Sequence, residues 1–180
     1  MASAQAGDRD ALDRLLRDHV DRVHAVCRRL TGNDADAADA TQEALIAIVR
    51  GLPRFDGRSA FGTWAYRVAT NACLDEMRRR KRRPAPASDS VALLGASAEA
   101  PAVDAAASAR VDVDAGLLKL PIDYRAAVVL RDLCGLDYAE IASVLDAPVG
   151  TVKSRISRGR AMLADLLEGN PASTTERQSP

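Results

Sequence analysis

Apolar residues recur at helical spacing through most of this 180-residue chain, and the interruptions fall where helices should stop. Leu12, Leu15, Leu16, Val20, Val23, Cys27 and Leu30 mark the buried face of a first helix, which Asp8 or Asp10 can open. Thr31-Gly32-Asn33 breaks it. A second helix begins near Asn33 or Asp34, with Ala37, Ala44, Leu45, Ile48 and Val49 as its inner face, and Gly51 and Pro53 end it. Asp34, Asp36 and Asp39 load its early turns, where negative charge suits the helix dipole. Residues 54–58, RFDGR, form a loop, and Ser59 can cap a third helix running from about Ala60 to about Arg82.

From Pro84 to Arg110 the pattern dissolves into Ala, Ser, Pro and Asp, the composition of a flexible linker with room for a short helix near its end. Periodicity returns at Val111, Val113, Leu117, Leu118 and Leu120. Pro121 punctuates, Asp123 can cap, and Ala126, Ala127, Val129, Leu130 and Leu133 continue a helix to Gly135. Asp137 and Glu140 then form a capping box before Ile141, Ala142 and Leu145. Pro148 ends that helix and admits the start of another, on which Val152, Ile156 and Leu163 share a face. The fold class is all-α: two small helical domains, 1–83 and 111–168, joined by a flexible linker at 84–110 and followed by a disordered tail at 169–180.

Composition sharpens this. Aromatics make up 3% of the chain, so the core rests on Leu, Val, Ile and Ala, which favours helices over sheets. The formal net charge is zero, yet residues 1–83 carry 16 Lys/Arg against 12 Asp/Glu. Local basic faces rather than net charge would carry any DNA binding. Three widely spaced cysteines, without a C-x-x-C pair, argue against a disulfide framework or a zinc knuckle. No signal peptide and no bilayer-spanning apolar run stand in the sequence, so the expected location is cytoplasmic.

Two stretches carry candidate chemistry. Residues 137–163 read as a helix-turn-helix whose second helix bears Lys153, Arg155, Arg158 and Arg160 outside its apolar stripe. Such a helix can enter a major groove; the plainer alternative is a helical hairpin with solvated cations. In the first half, Phe55, Phe61, Trp64 and Tyr66 gather four of the six aromatics into twelve positions. Arg67, Asn71, Asp75 and Arg78 follow on one helix face, ahead of a run of Arg and Lys through Arg83. Aromatics offer faces on which an unstacked base can rest, while Asn and Arg read base edges and phosphates. The alternative is that the rings are core and the arginines solvated.

An enzyme lacks support. His19, His24 and Cys27 do not assemble a zinc ligand set, no nucleophile has an evident base, and no GxxxxGK[ST] loop occurs. A conventional transcription regulator would need a ligand or receiver domain ahead of the helix-turn-helix.

Residues 34–83 resemble region 2 of bacterial RNA polymerase sigma factors of the extracytoplasmic-function (ECF) group, within the sigma-70 family, and residues 120–163 resemble region 4. The resemblance implies a chain that binds core RNA polymerase, directs it to promoters through −35 and −10 elements, and helps melt the DNA. It implies polymerase contacts, on the β′ coiled coil, through Asp36, Asp39, Gln42, Glu43 and Leu45. It implies −10 contacts through Phe61, Trp64, Arg67, Asn71, Asp75, Arg78 and Arg79, with the 54–59 loop forming part of a base pocket. It implies −35 contacts through Thr151, Lys153, Ser154, Arg155, Ser157 and Arg158, with Arg131 and Tyr138 touching the backbone. Some relatives carry an aromatic residue where Ser157 stands, so the −35 sequence is left open. The β flap and an anti-sigma factor complete the implied partners; no cofactor and no membrane insertion are implied. The linker can thread toward the RNA path or serve as a plain tether.

Overall fold

The computed structural model describes residues 1–82 and 105–168, with side chains described outside 78–82 and 105–111. Most of the expected linker, the tail at 169–180, and the side chains of Arg78 and Arg79 therefore lie outside the described residues.

The first half is a bundle of three long helices, α2 (Arg9–Thr31), α3 (Asp34–Gly51) and α4 (Phe61–Arg82), preceded by the single turn α1 (Ala2–Gln5). Asp8 caps α2 by accepting from the Asp10 and Ala11 amides, and Asn33 caps α3 by accepting from the Asp36 amide. Val23, Val26, Cys27 and Leu30 of α2 are buried against Ala37, Ala44 and Ile48 of α3 and Ala65, Ala69 and Cys73 of α4. Small residues on two of the three helices let the axes approach closely. Each large aliphatic side chain removed from water contributes on the order of 1.5–3 kcal/mol.

The second half comprises α5 (Ala105–Lys119), α6 (Ile122–Val128), α7 (Tyr138–Leu145) and α8 (Val149–Leu167). A π-helical turn, Val129–Leu133, continues α6 and closes with the Cys134 amide donating to the Val129 carbonyl at 3.3 Å. The capping box at Asp137 and Glu140 is present, with both reciprocal bonds at 2.8 Å. Ile141, Val152 and Ile156 join α7 to α8 in the core.

Four expectations are corrected. Val49 is exposed rather than part of the inner face of α3. Ala60, not Ser59, precedes α4, its carbonyl accepting from the Trp64 amide. Pro121 stands at the start of α6, leaving Asp123 inside the first turn. Leu133 is exposed, because the π turn rotates it off the apolar stripe. The start of α5, from Ala105, is the short helix for which the end of the linker had room. The two halves also touch: α7 packs on α4, while α5, α6 and the π turn meet α2.

Candidate nucleic-acid interface

The aromatic loop is built from its backbone outward. Pro53 starts a 3₁₀ turn, Leu52–Arg54, whose Leu52 is buried. The Gln5 side-chain amide donates to the Leu52 and Phe55 carbonyls at 3.2 and 2.7 Å, which fixes the loop that carries the Phe55 ring. Phe61 is only 8% exposed, edge-on to His19 at 4.8 Å between ring centroids. It supports two half-buried rings, Phe55 at 6.0 Å and Trp64 at 5.6 Å, which lie 5.2 Å from each other. Gly51 makes room for the indole, since a Cβ there would stand 2.9 Å from Trp64 Cζ2. Phe61 is thus the floor of the cluster, and Trp64 and Phe55 are the rings with a face to offer. Tyr66 is buried in the bundle.

Phe55, Trp64 and Arg67 line a cavity of about 490 Å³ with Arg58 and Ser59 of the loop on one side and Ala139, Glu140 and Ser143 of α7 on the other. From there Arg67, Asn71 and Asp75 continue along α4 as exposed side chains at one-turn spacing. An aromatic recess leading into a row of amide, cation and carboxylate can hold a flat heterocycle and its attached backbone.

On α3, Asp39, Gln42 and Glu43 are exposed and Asp36 and Leu45 half-buried. With Ala40 and Glu76 of α4, the four polar residues border an acidic recess of about 220 Å³. Beside it, Ile46 is 43% exposed and Val49 38%, on the same solvent face as Arg50. Sequence reasoning assigned Val49 to the core and left Ile46 unassigned. A hydrophobic run of Leu45, Ile46, Ile48 and Val49 covers more than one face, and exposed aliphatics rimmed by charge are the composition of a protein contact.

The helix-turn-helix presents α8. Lys153, Ser154, Ser157 and Arg158 are exposed, Thr151 is half-buried, and the Ser154 hydroxyl is turned back to the Thr151 carbonyl at 2.8 Å. The arginines are not equivalent. Arg155 is half-buried and paired with Asp123 of α6 at 3.4 Å. Arg160 is bound to both Asp132 oxygens, which hold its guanidinium above its ordinary value. Arg158 makes no ion pair among the described residues. Arg131 donates to the Leu136 carbonyl, and its guanidinium lies 4.9 Å from the Tyr138 ring centroid, which Lys153 Nζ also approaches at 5.4 Å. Two cations over one ring draw the residues expected at the DNA backbone into one basic patch. α8 begins at Pro148 with no acid and no side-chain cap in its first turn, so its positive end faces outward uncompensated.

The three thiols are not part of these surfaces. Cys27 and Cys73 are buried together in the first bundle; a hydrogen bond from the pair and burial push the Cys73 thiol up. Burial pushes Cys134 up to about 12. Among the described residues no group of three or more His, Cys, Asp or Glu is placed to hold a metal, and no helix is long and apolar enough to cross a membrane.

Comparison with known proteins joins these surfaces to a family. Residues 15–83 match Sigma-70 region 2, and residues 110–163 match Sigma-70, region 4. The chain is 39% identical over 168 residues to the ECF RNA polymerase sigma factor SigM of Mycobacterium tuberculosis, covering 93% of this chain and 82% of that one. It is 37% identical over 174 residues to the ECF RNA polymerase sigma-E factor of Escherichia coli strain K12, covering 91% and 90%. Among solved structures, CnrH in complex with the cytosolic domain of CnrY aligns with a TM-score of 0.69 at 27% identity, over 94% of this chain and 95% of that one. The sigma factor RpoE of Bartonella quintana, in complex with the anti-sigma factor NepR, gives the same TM-score at 24% identity, over 88% and 97%, and shares the fold. With an aromatic recess in region 2 and a basic helix-turn-helix in region 4, the chain belongs to the ECF sigma factors of RNA polymerase.

Proposed function

We propose a division of labour along the chain in which each surface has one partner. The exposed side of α3, with Asp39, Gln42, Glu43 and the neighbouring Ile46 and Val49, docks core RNA polymerase on the β′ coiled coil. The Phe55–Trp64 recess receives a base extruded from the non-template strand at the −10 element, and Arg67, Asn71 and Asp75 follow the strand beyond it. Unstacking a base costs a few kcal/mol, which ring stacking and pocket contacts offset without nucleotide hydrolysis. The α8 surface reads the −35 element, with Arg158 and Lys153 as the readers and Arg131 with Tyr138 against the backbone. Arg155, tied to Asp123, acts more by orientation than by direct reading. The β flap is the second polymerase contact, reached from region 4.

The observation that carries this reading is the recess itself: two half-buried rings at its wall with a polar row leading from it along one helix. The chain acts by binding rather than catalysis, in the compartment that holds polymerase and promoter, the cytoplasm. An anti-sigma protein is a fitting partner, since the Bartonella quintana factor is found with the anti-sigma factor NepR. The test is run-off transcription with purified core polymerase on promoters identified by mapping transcript starts after overexpression. A chain that binds promoter duplex tightly without core polymerase, and gives no core-dependent transcript, would be an ordinary regulator instead.

A further inference from the structure

The Phe55 wall of the recess depends on a residue far from it in sequence. Gln5, on the single turn α1, is half-buried and lies ahead of residues 15–83, the part that matches region 2. Its amide bonds two backbone carbonyls, Leu52 at 3.2 Å and Phe55 at 2.7 Å: the first residue of the 3₁₀ turn and the residue that follows it. Carbonyls only accept, so the side-chain nitrogen faces both, and its two hydrogens are both used there. We propose that Gln5 is a positioning residue for −10 recognition: it holds the Phe55 ring against Trp64, and which base the recess accepts depends on that hold. This role rests on the recess being the base site; the hold on Phe55 does not.

The two bonds act differently. The Leu52 carbonyl already accepts from the Phe55 amide at 3.1 Å, closing the turn, and Gln5 adds a second donor to it. At Phe55 the backbone leaves the turn for an extended conformation, φ −67° and ψ 117°, and Gln5 supplies the donor that the ended turn does not. A planar amide with two hydrogens sets the separation and angle of the two oxygens it bonds. It therefore fixes the direction in which Phe55 carries its ring, 5.2 Å from the indole. Beyond Phe55 the loop bonds are local: Asp56 accepts from the Arg58 amide at 3.1 Å and pairs with the Arg58 guanidinium at 3.1 Å. Those bonds shape the loop without attaching it to the bundle.

α1 is placed so as to deliver this side chain. Four residues do not make a stable helix alone. Ala4, 5% exposed, anchors the turn in the core of the bundle. Gly7 takes φ +94°, its amide donating to the Ala4 carbonyl at 3.2 Å, and the Asp8 amide returns to the Ser3 carbonyl at 3.0 Å. This left-handed closure ends the helix and reverses the chain. Asp8 then caps α2 with its side chain, so one residue closes α1 and opens α2. Gln5 is left against the 3₁₀ turn with little freedom. It is not one of the core side chains, so losing its amide should move the loop rather than unfold the bundle.

The test uses the full chain with core polymerase on a pool of promoters that differ only at the base assigned to the recess, with transcripts counted by sequencing. Wild type is compared with Gln5→Glu, which keeps the shape and loses both donors, and with Gln5→Lys, which keeps donors on a different stem. Trp64→Ala is the control for the recess itself. Circular dichroism and urea denaturation check the fold, and Gln5→Ser replaces Gln5→Glu if the carboxylate unfolds the chain. Gln5→Glu should lower discrimination between the preferred base and the others about fivefold, the scale of a lost hydrogen bond or two. It should also shift the emission of Trp64, the single tryptophan, in the free chain. Gln5→Lys should restore much of both. Discrimination lost in Trp64→Ala but kept in Gln5→Glu overturns the role of Gln5 and leaves the base site standing. Discrimination kept in both overturns the recess as the base site, and the role of Gln5 with it. An equal fall for every base in Gln5→Glu, in step with lowered stability, makes Gln5 a structural residue only and overturns the positioning role.

Discussion

Trp64 is positioned by what surrounds it, Arg158 by the helix that carries it and little else. The indole rests on Phe61 and Phe55 and fits a hollow left by Gly51, and its loop is pinned by Gln5. Arg158 stands exposed on α8, with no ion pair among the described residues. The first arrangement holds a face in place, as a stacking partner requires, and any change of volume will be felt. The second leaves a long side chain to find its acceptors when DNA arrives. Opening DNA calls for a formed recess, whereas reading a groove calls for charge delivered at the right helix position.

The largest effect should come from Trp64→Ala. Loss of a stacking face, on the order of 1–3 kcal/mol, adds to lost packing on Phe61. Core-dependent transcript should fall by about tenfold to a hundredfold, with permanganate reactivity at −10 lost and −35 duplex binding kept. If Trp64→Phe is as damaging as Trp64→Ala, the ring face is not what matters and the contrast drawn above fails. Next, Arg158→Ala should weaken −35 binding by about 1–3 kcal/mol if it makes a bidentate guanine contact. Unchanged affinity for the cognate promoter would remove it from the readers. A smaller change, under about 1 kcal/mol, is expected from Asp123→Asn, which releases Arg155 from the one ion pair it makes among the described residues. Its mark would be altered preference among −35 sequences in a binding selection. If preference is untouched, Arg155 reads nothing through its orientation.

The smallest expected effect concerns stability, in a thiol that belongs to neither surface. Cys134 is raised from 9.0 to about 12 by burial, so the folded state favours its protonated form. The associated stability is fully present below pH 9 and is lost as pH rises from there through about 12. Urea denaturation over that window should show a decline that becomes shallower in Cys134→Ala. An unaltered slope would mean that the thiol is solvated.

Most of the frame was legible from spacing alone. Gly32 and Pro148 stop helices for reasons written in their own chemistry, and the Asp137–Glu140 box needs only four consecutive residues. The aromatic cluster announced itself by density, though not which ring would be the floor: that depends on His19, forty-two positions away. Val49 was misread because an apolar run wider than one helix face does not say which edge meets a neighbour. Arg125 gave no signal, since its partners are backbone carbonyls up to 95 positions distant, and backbone carbonyls look alike in every sequence. The contact between the halves was hidden in part for the same reason: bonds such as Thr63 to Glu140 and Arg125 to the Leu30 carbonyl leave no periodic trace.

Glu140 divides its carboxylate between two duties. Oε2 accepts from the Asp137 amide to complete the cap of α7, and Oε1 accepts from Thr63 across the recess. Because the two bonds use different oxygens, the cap does not depend on the Thr63 contact. A Thr63→Val change would remove one hydroxyl donor from the recess and leave the start of the DNA-reading unit as firmly set as before.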